Sequence, residues 1–214
     1  MTAYLSNTTP WAHQRQAFEF AVSRPGTMLG MDMGTGKSKV AIDLIQSTGQ
    51  SRTLILCPKS VIAAWEKQFH IHGVPAGRMV YGLDHGSGKQ KIATLEQAVQ
   101  FQTIHKNPFV VVLNYEAAIT DTMRKVLLAI EWGCVVLDES HRIKAPGGKA
   151  SWLCKALGQR APFRLCLTGT PMPHSPLDIY AQYRFLNPEV FGSSYTYFKA
   201  QYAVLGGFQG KQVV

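Results

Sequence analysis

The chain has 214 residues, enough for one α/β domain with a sizeable core. Its 46% hydrophobic and 16% charged residues place it in the folded class and exclude an intrinsically disordered one. Twenty-two Lys and Arg against 13 Asp and Glu leave a formal charge of +9, an excess that favours a polyanionic partner, usually nucleic acid; no dense basic run makes it a tail.

In chain order, the opening MTAYLSNTTPW shows no charged-then-apolar signal pattern. Six short apolar runs read as strands: Thr27–Leu29, Thr53–Cys57, Met79–Tyr81, Phe109–Leu113, Cys134–Leu137 and Phe163–Leu167. Most are continuous rather than alternating, as expected of strands buried on both faces. Helical spacing fills the gaps. It runs through Val40, Ala41, Leu44 and Ile45, then Val61, Ile62, Trp65 and Phe69, then Ile92, Leu95 and Val99. Two further patterns are Met123, Val126, Leu127 and Ile130, and Leu177, Tyr180, Tyr183 and Phe185. The alternation predicts an α/β fold, a mostly parallel sheet with helices on both faces, whose ligands gather at the carboxyl ends of the strands. Gly82–Gly88 reads as a surface loop, and glycines punctuate the chain again at Gly147–Gly148 and Gly206–Gly210. Cys57, Cys134, Cys154 and Cys166 form no C-x-x-C pair, and all but Cys154 lie in apolar runs. Buried reduced thiols of a cytosolic protein fit them better than a zinc site or a disulfide framework. No apolar stretch reaches the ~18–20 residues of a membrane span.

The first run leads into Gly30-Met31-Asp32-Met33-Gly34-Thr35-Gly36-Lys37-Ser38 and a helix. Phosphate binding needs this order. Glycines let successive N–H groups turn inward onto anionic oxygens, and the helix N-terminus adds unpaired donors. Lys37 is expected to reach the β- and γ-phosphates, and the Ser38 hydroxyl to coordinate Mg²⁺. The G-x-x-x-x-G-K-[ST] pattern is imperfect, since Met31 holds the first glycine position and Gly34 and Gly36 supply the flexibility. The fifth run ends in Asp138-Glu139-Ser140-His141. Two carboxylates at the carboxyl end of an apolar strand suit a metal–phosphate reaction, with Asp138 holding Mg²⁺ and Glu139 orienting or deprotonating the attacking water. An acidic helix cap is the plain alternative, and the phosphate loop about a hundred residues earlier weighs against it. His141 reads either as a surface imidazole or as a link between hydrolysis and movement. Trp65, at helical spacing with Val61, Ile62 and Phe69, reads as core rather than as a stacking platform.

These motifs, in this order, resemble the superfamily-two helicases, and among them the Swi/Snf-type double-stranded DNA translocases. Pro10-Trp11-Ala12-His13-Gln14 is similar to the family's adenine-recognition segment, which carries that role to Gln14. Asp32 to Ser38 resembles its D-x-M-G-x-G-K-T loop, which makes Met33, Gly34, Thr35, Gly36, Lys37 and Ser38 the expected nucleotide contacts. Leu54 to Ser60, followed by Trp65, resembles a strand–loop–helix that touches the DNA backbone, and Val112-Leu113-Asn114-Tyr115-Glu116 the next DNA-facing segment. Lys59, Ser60, Asn114 and Tyr115 are therefore the expected nucleic-acid contacts, made to phosphates without sequence information. Asp138 to His141 is similar to the family's D-E-x-H box. Leu167-Thr168-Gly169-Thr170-Pro171 resembles the motif coupling the two sites, through Thr168, Gly169 and Thr170. Pro176-Leu177-Asp178 and Phe185-Leu186-Asn187-Pro188 resemble the segment that follows it. His174 departs from the family's frequent Asn, and no Q-x-x-G-R-x-x-R pattern occurs.

The resemblance implies a RecA-like ATP-binding lobe over residues 1–190 and an extension, 191–214, toward a second RecA-like lobe that this sequence does not contain. It also implies ATP and Mg²⁺ as cofactors, duplex DNA as partner, and a cytoplasmic or nucleoid-associated, non-membrane location. Two other readings stand beside it: a strand-separating helicase or restriction-type motor, and a nucleic-acid-binding regulatory fragment with little turnover.

Overall fold

The computed structural model describes residues 6–73, 78–206 and 212–213. Most of the expected glycine-rich stretch Gly206–Gly210 and the first five residues lie outside this set.

Six strands form one parallel sheet: β1 (Gly26–Gly30), β2 (Arg52–Cys57), β3 (Met79–Gly82), β4 (Phe109–Asn114), β5 (Cys134–Asp138) and β6 (Phe163–Thr168). Their spatial order is β1-β6-β5-β2-β4-β3, every pairing is parallel, and the six runs read from the sequence are its centres. Neighbouring strand residues divide between two cores. Leu54, Leu56, Val111 and Val135 face one cluster, and Ile55, Cys57, Val110 and Val136 the other. The second face is covered by α1 (Ala12–Ala21), α2 (Lys37–Ser47) and α3 (Ile62–His72), which bury Phe18, Ile42 and Trp65. The first is covered by α4 (Gly88–His105), α6 (Asp121–Ala129), α7 (Lys149–Gly158) and α8 (Ile179–Leu186), which bury Leu95, Leu127, Leu153 and Phe185, with the single turn α5 (Tyr115–Ala118) between α4 and α6. Covering both faces is what makes strand sequences of continuous apolarity stable.

One boundary differs from expectation. Gly82 closes β3 and Gly88 opens α4, so the surface loop is shorter than Gly82–Gly88. Lys59 and Ser60 sit in a 3₁₀ turn, Lys59–Val61, that runs into α3. After residue 190, α9 (Tyr195–Tyr202) buries Phe198 against Leu177 and Tyr180. Beyond it, β7 (Leu205–Gly206) pairs antiparallel with β8 (Gln212–Val213). All four cysteines are free and buried. Among the described residues no helix is long and apolar enough to cross a membrane.

Candidate functional site

The strand order brings the two sequence motifs to one edge. In the register, Gly30 of β1 stands beside Thr168 of β6, and Leu167 stands beside Asp138 of β5. The phosphate loop and the acidic box thus flank the Thr168-Gly169-Thr170 turn. Two inter-strand spacings separate β1 from β5, about 10 Å, a span that a triphosphate can bridge.

The loop between β1 and α2 is shaped by two left-handed glycines, Gly34 (φ 79°) and Gly36 (φ 83°), the latter capping α2. A Cβ on Gly36 would collide with the Gln14 side-chain nitrogen, so this glycine is fixed by contact as well as by backbone angle. Gln14 is buried and bridges two segments. Its Oε1 accepts from Trp11 N at 2.9 Å, and its Nε2 donates to Thr35 O at 3.1 Å. His13 also approaches Thr35 O, at 2.9 Å. The Lys37 ammonium curls into the loop, donating to Met31 O at 2.9 Å and Asp32 O at 3.0 Å. Ser38 is half-buried in the first turn of α2, and Met33 is largely exposed. Beside the loop a cavity of about 280 Å³ is lined by Thr8, Trp11, Gln14, Gly34, Gly36 and His72 among others. At its margin Lys39 and Asp43 form a buried ion pair at 2.7 Å.

The acidic box departs from regular structure at once. Glu139 adopts the left-handed region (φ 50°, ψ 53°), where a non-glycine side chain is strained, and a 3₁₀ turn, Ser140–Ile143, follows. Asp138 Oδ1 accepts its neighbour's N–H at 3.0 Å, and Oδ2 accepts the Trp65 indole N–H at 2.8 Å. Burial pushes the Asp138 carboxyl above its ordinary range, and the nearby Glu139 charge adds to this. The indole bond and the Lys37 charge oppose it. His141 Nδ1 lies 3.3 Å from Glu139 Oε2 and 3.3 Å from Thr168 Oγ1, joining the box to the β6 turn. Thr168 Oγ1 accepts from Thr170 N at 3.1 Å, and Gly169 lies against the phosphate loop, its missing Cβ 3.5 Å from Met31 O.

Two of the expected nucleic-acid contacts require correction. Asn114 and Tyr115 are buried, so neither side chain is presented to a DNA backbone. Asn114 donates to Glu116 Oε2 at 2.8 Å, and Tyr115 turns inward to donate to the Asp138 main-chain oxygen at 2.9 Å. Glu116 is the exposed member of that segment, held by Arg142 at 3.0 Å, and the Asn114 bond is the main cause of its lowered pKa. Lys59 and Ser60 are exposed and line an open cavity of about 530 Å³ with Asp84 and His85. Lys91 stands close enough that the Lys59 charge lowers its pKa, after the larger effect of burial.

Sequence reasoning missed Gln182. This fully buried side chain of α8 accepts from Ser140 Oγ at 2.6 Å and donates to Pro171 O at 2.7 Å and Asp178 O at 3.0 Å. It ties the acidic box to the turn after β6. Its one visible signal was a polar residue inside the apolar pattern of α8.

Comparison with known proteins agrees with this geometry. Residues 11–205 match the SNF2-related domain. The chromodomain-helicase-DNA-binding protein 1-like of Mus musculus is 29% identical over 173 residues, which cover 78% of this chain and 18% of that protein. The ATP-dependent helicase brm of Drosophila melanogaster is 30% identical over 189 residues, 84% of this chain and 11% of that protein. The solved Sulfolobus solfataricus SWI2/SNF2 ATPase core in complex with dsDNA has the same fold, with TM-score 0.74 at 24% identity over 94% of this chain and 40% of that one. The chain thus spans a fifth or less of these two curated relatives.

Proposed function

The chain belongs to the SNF2-related domain family, and from that premise we propose that it is the ATP-binding lobe of a DNA-dependent ATPase that moves along duplex DNA. One observation carries the reading. Lys37 and the Asp138–Glu139 pair reach the same strand edge, about a hundred residues apart in sequence, with the Thr168-Gly169-Thr170 turn between them.

Each side chain then has a task. The N–H groups of the Gly34–Ser38 turn and the Lys37 ammonium hold the phosphates, after Lys37 exchanges its loop carbonyls for β- and γ-oxygens. Gln14, pinned to the loop beside the 280 Å³ cavity, meets the base. The residues fit Mg²⁺. Ser38 and Asp138 offer a hydroxyl and a carboxylate, and the described residues contain no group of three His, Cys, Asp or Glu side chains able to hold a metal. That donor set suits a hard cation that draws most of its oxygens from phosphate and water. The bound ion would neutralise charge developing on the phosphate oxygens. Glu139 takes the proton of the attacking water, and His141, between Glu139 and Thr168, reports the state of that proton to the β6 turn. Lys59 and Ser60 touch DNA phosphates from their exposed turn.

Movement on DNA belongs to a longer assembly. A second RecA-like lobe, joined through the segment after residue 190, would complete the nucleotide site with arginine fingers, which contribute about 10³–10⁵ in rate in related phosphoryl transfer. Such a protein would work in the cytoplasm or on the nucleoid.

Titration of the 214-residue chain with a fluorescent ATP analogue tests the reading. Mg²⁺-dependent binding lost in Lys37→Ala, together with slow hydrolysis, is the expected result. Equal binding by both proteins would show that the nucleotide sits elsewhere. Full DNA-stimulated turnover by this chain alone would contradict the need for a second lobe.

A further inference from the structure

Two segments end on one and the same residue of the nucleotide site, and the first of them carries the turn that touches DNA in the proposed function. The first is the Lys59–Val61 turn, which runs directly into α3. Five residues after Ser60, the buried Trp65 donates its indole N–H to Asp138 Oδ2 at 2.8 Å. The second is the end of β4, where Tyr115 donates its hydroxyl to the Asp138 main-chain oxygen at 2.9 Å. A third tie runs outside these two, from Asn114 to Glu116 to Arg142 of the acidic box. Strand order explains the convergence. β2 lies between β5 and β4, so the residues following β2 and β4 open onto the residue that ends β5.

Packing alone does not call for these donors. Phenylalanine would fill both aromatic positions, and its ring would bury the same apolar surface. The polar atoms of Trp65 and Tyr115 are both spent on Asp138, one on its side chain and one on its backbone. Together they fix where the carboxylate points. The Lys59–Val61 turn runs directly into α3, and an α-helix, rising ~1.5 Å per residue, is stiff over the single turn from Ile62 to Trp65, so a shift at its start reaches the indole.

We propose that Trp65 and Tyr115 are positioning residues, Trp65 linking the DNA-facing turn to the Asp138 carboxylate and Tyr115 fixing the backbone that carries it, so that duplex DNA and Mg²⁺–ATP alter each other's affinity through them. This rests on the proposed function and adds to it the path by which the two ligands communicate. By linkage the coupling factor must be the same measured in either direction, and such factors typically run from about 5- to 150-fold.

The experiment measures the dissociation constant of a fluorescent ATP analogue with Mg²⁺, with and without saturating duplex DNA. The proteins are the wild-type chain, Trp65→Phe, Tyr115→Phe, Phe69→Leu and Lys37→Ala. Phe69 lies one turn along α3, stacks near Trp65 at 6.2 Å between ring centroids and makes no bond to Asp138, so its variant loosens the helix without touching the link. Wild type should show a DNA effect of at least about fivefold. In Trp65→Phe and in Tyr115→Phe the effect should shrink toward one while both ligands still bind. Phe69→Leu should melt earlier and keep the effect. Wild type that binds both ligands independently overturns the inference. So does full coupling in both phenylalanine variants, or equal loss of coupling in Phe69→Leu. Failure of wild type to bind nucleotide, or binding undiminished in Lys37→Ala, instead overturns the proposed function itself.

Discussion

The two ends of the six parallel strands use charge in opposite ways. At the amino end, arginines close the fold onto main-chain oxygens. Arg78 donates to Gln50 O and, at 2.9 Å, to Ile45 O, and Arg164 donates to Gly158 O at 2.9 Å. Arg160 reaches Leu128 O, and Arg52 meets Gln102 Oε1 at 2.9 Å. All but Arg52, whose acceptor is a side-chain amide, cap main-chain carbonyls. At the carboxyl end the charges are held in reserve. Lys37 rests on loop carbonyls, Asp138 is half-buried against its preference, and Glu139 is held in a strained backbone conformation. Part of the +9 excess that pointed to a polyanion is therefore structural, and the residues proposed to act on phosphate are few.

Breaking the carboxyl end should change chemistry before stability. Glu139→Gln is expected to lower single-turnover hydrolysis by about 10²–10⁴-fold, the usual worth of a general base, with nucleotide affinity little altered. Glu139→Gly should lose hydrolysis equally yet melt at higher temperature. It relieves the left-handed strain at φ 50°, which costs on the order of 1–3 kcal/mol. A glycine variant that melts earlier would remove strain as a feature of this end. Lys37→Ala should weaken nucleotide binding by roughly 10- to 100-fold, the value of charge-assisted bonds to phosphate, with an unchanged melting temperature.

The amino end should respond the other way round. Arg78→Met leaves the Gln50 carbonyl without this donor and the Ile45 carbonyl with only the Thr48 hydroxyl at 3.4 Å, a loss of about 1.5–3 kcal/mol in chemical denaturation. Nucleotide affinity should stay at the wild-type value. A variant that keeps its stability but loses the nucleotide would erase the division between the two ends.

The same division governs what the sequence could reveal. The six strands were legible because each is an unbroken apolar run, and the residues that escaped are polar or glycine at the strand ends, Gly26, Gly30, Arg52, Gly82, Asn114, Asp138 and Thr168, since the ladder outlasts the apolarity. The Gly34–Ser38 turn and the Asp138–Glu139 pair stood out in the sequence because each is a local run of residues. Helices α1, α7 and α9 were not read. Helix α1 mixes polar residues into its apolar face, and α7 follows directly on the Gly147–Gly148 break. Contacts between distant residues left no trace. Spacing correctly made Trp65 a core residue, but nothing in it shows that the indole bonds a carboxylate 73 positions later. Tyr115 was drawn outward by resemblance, whereas its hydroxyl has an inward partner 23 residues on. Gln182 is the clearest case, since a fully buried amide is explained only by the three segments around it.

The smallest effect concerns two thiols that sample the two ends. Cys57 closes β2 at the carboxyl edge and Cys134 opens β5 at the amino edge. Burial raises both to about 12, with Asp138 contributing at Cys57 and Arg78 opposing at Cys134. At pH 8 almost no thiolate exists in either closed site, so alkylation reports local opening, after which the thiol returns to its ordinary value near ~8.5. Peptide mapping after timed alkylation should find Cys57 modified a few-fold faster than Cys134, because loops and a strained turn guard one edge and arginine caps the other. Mg²⁺–nucleotide should slow Cys57 alone, and Arg78→Met should speed Cys134 alone. Equal rates, indifferent to both changes, would mean that the ends open together, and that charge placement at the strand ends governs reactivity without governing local stability.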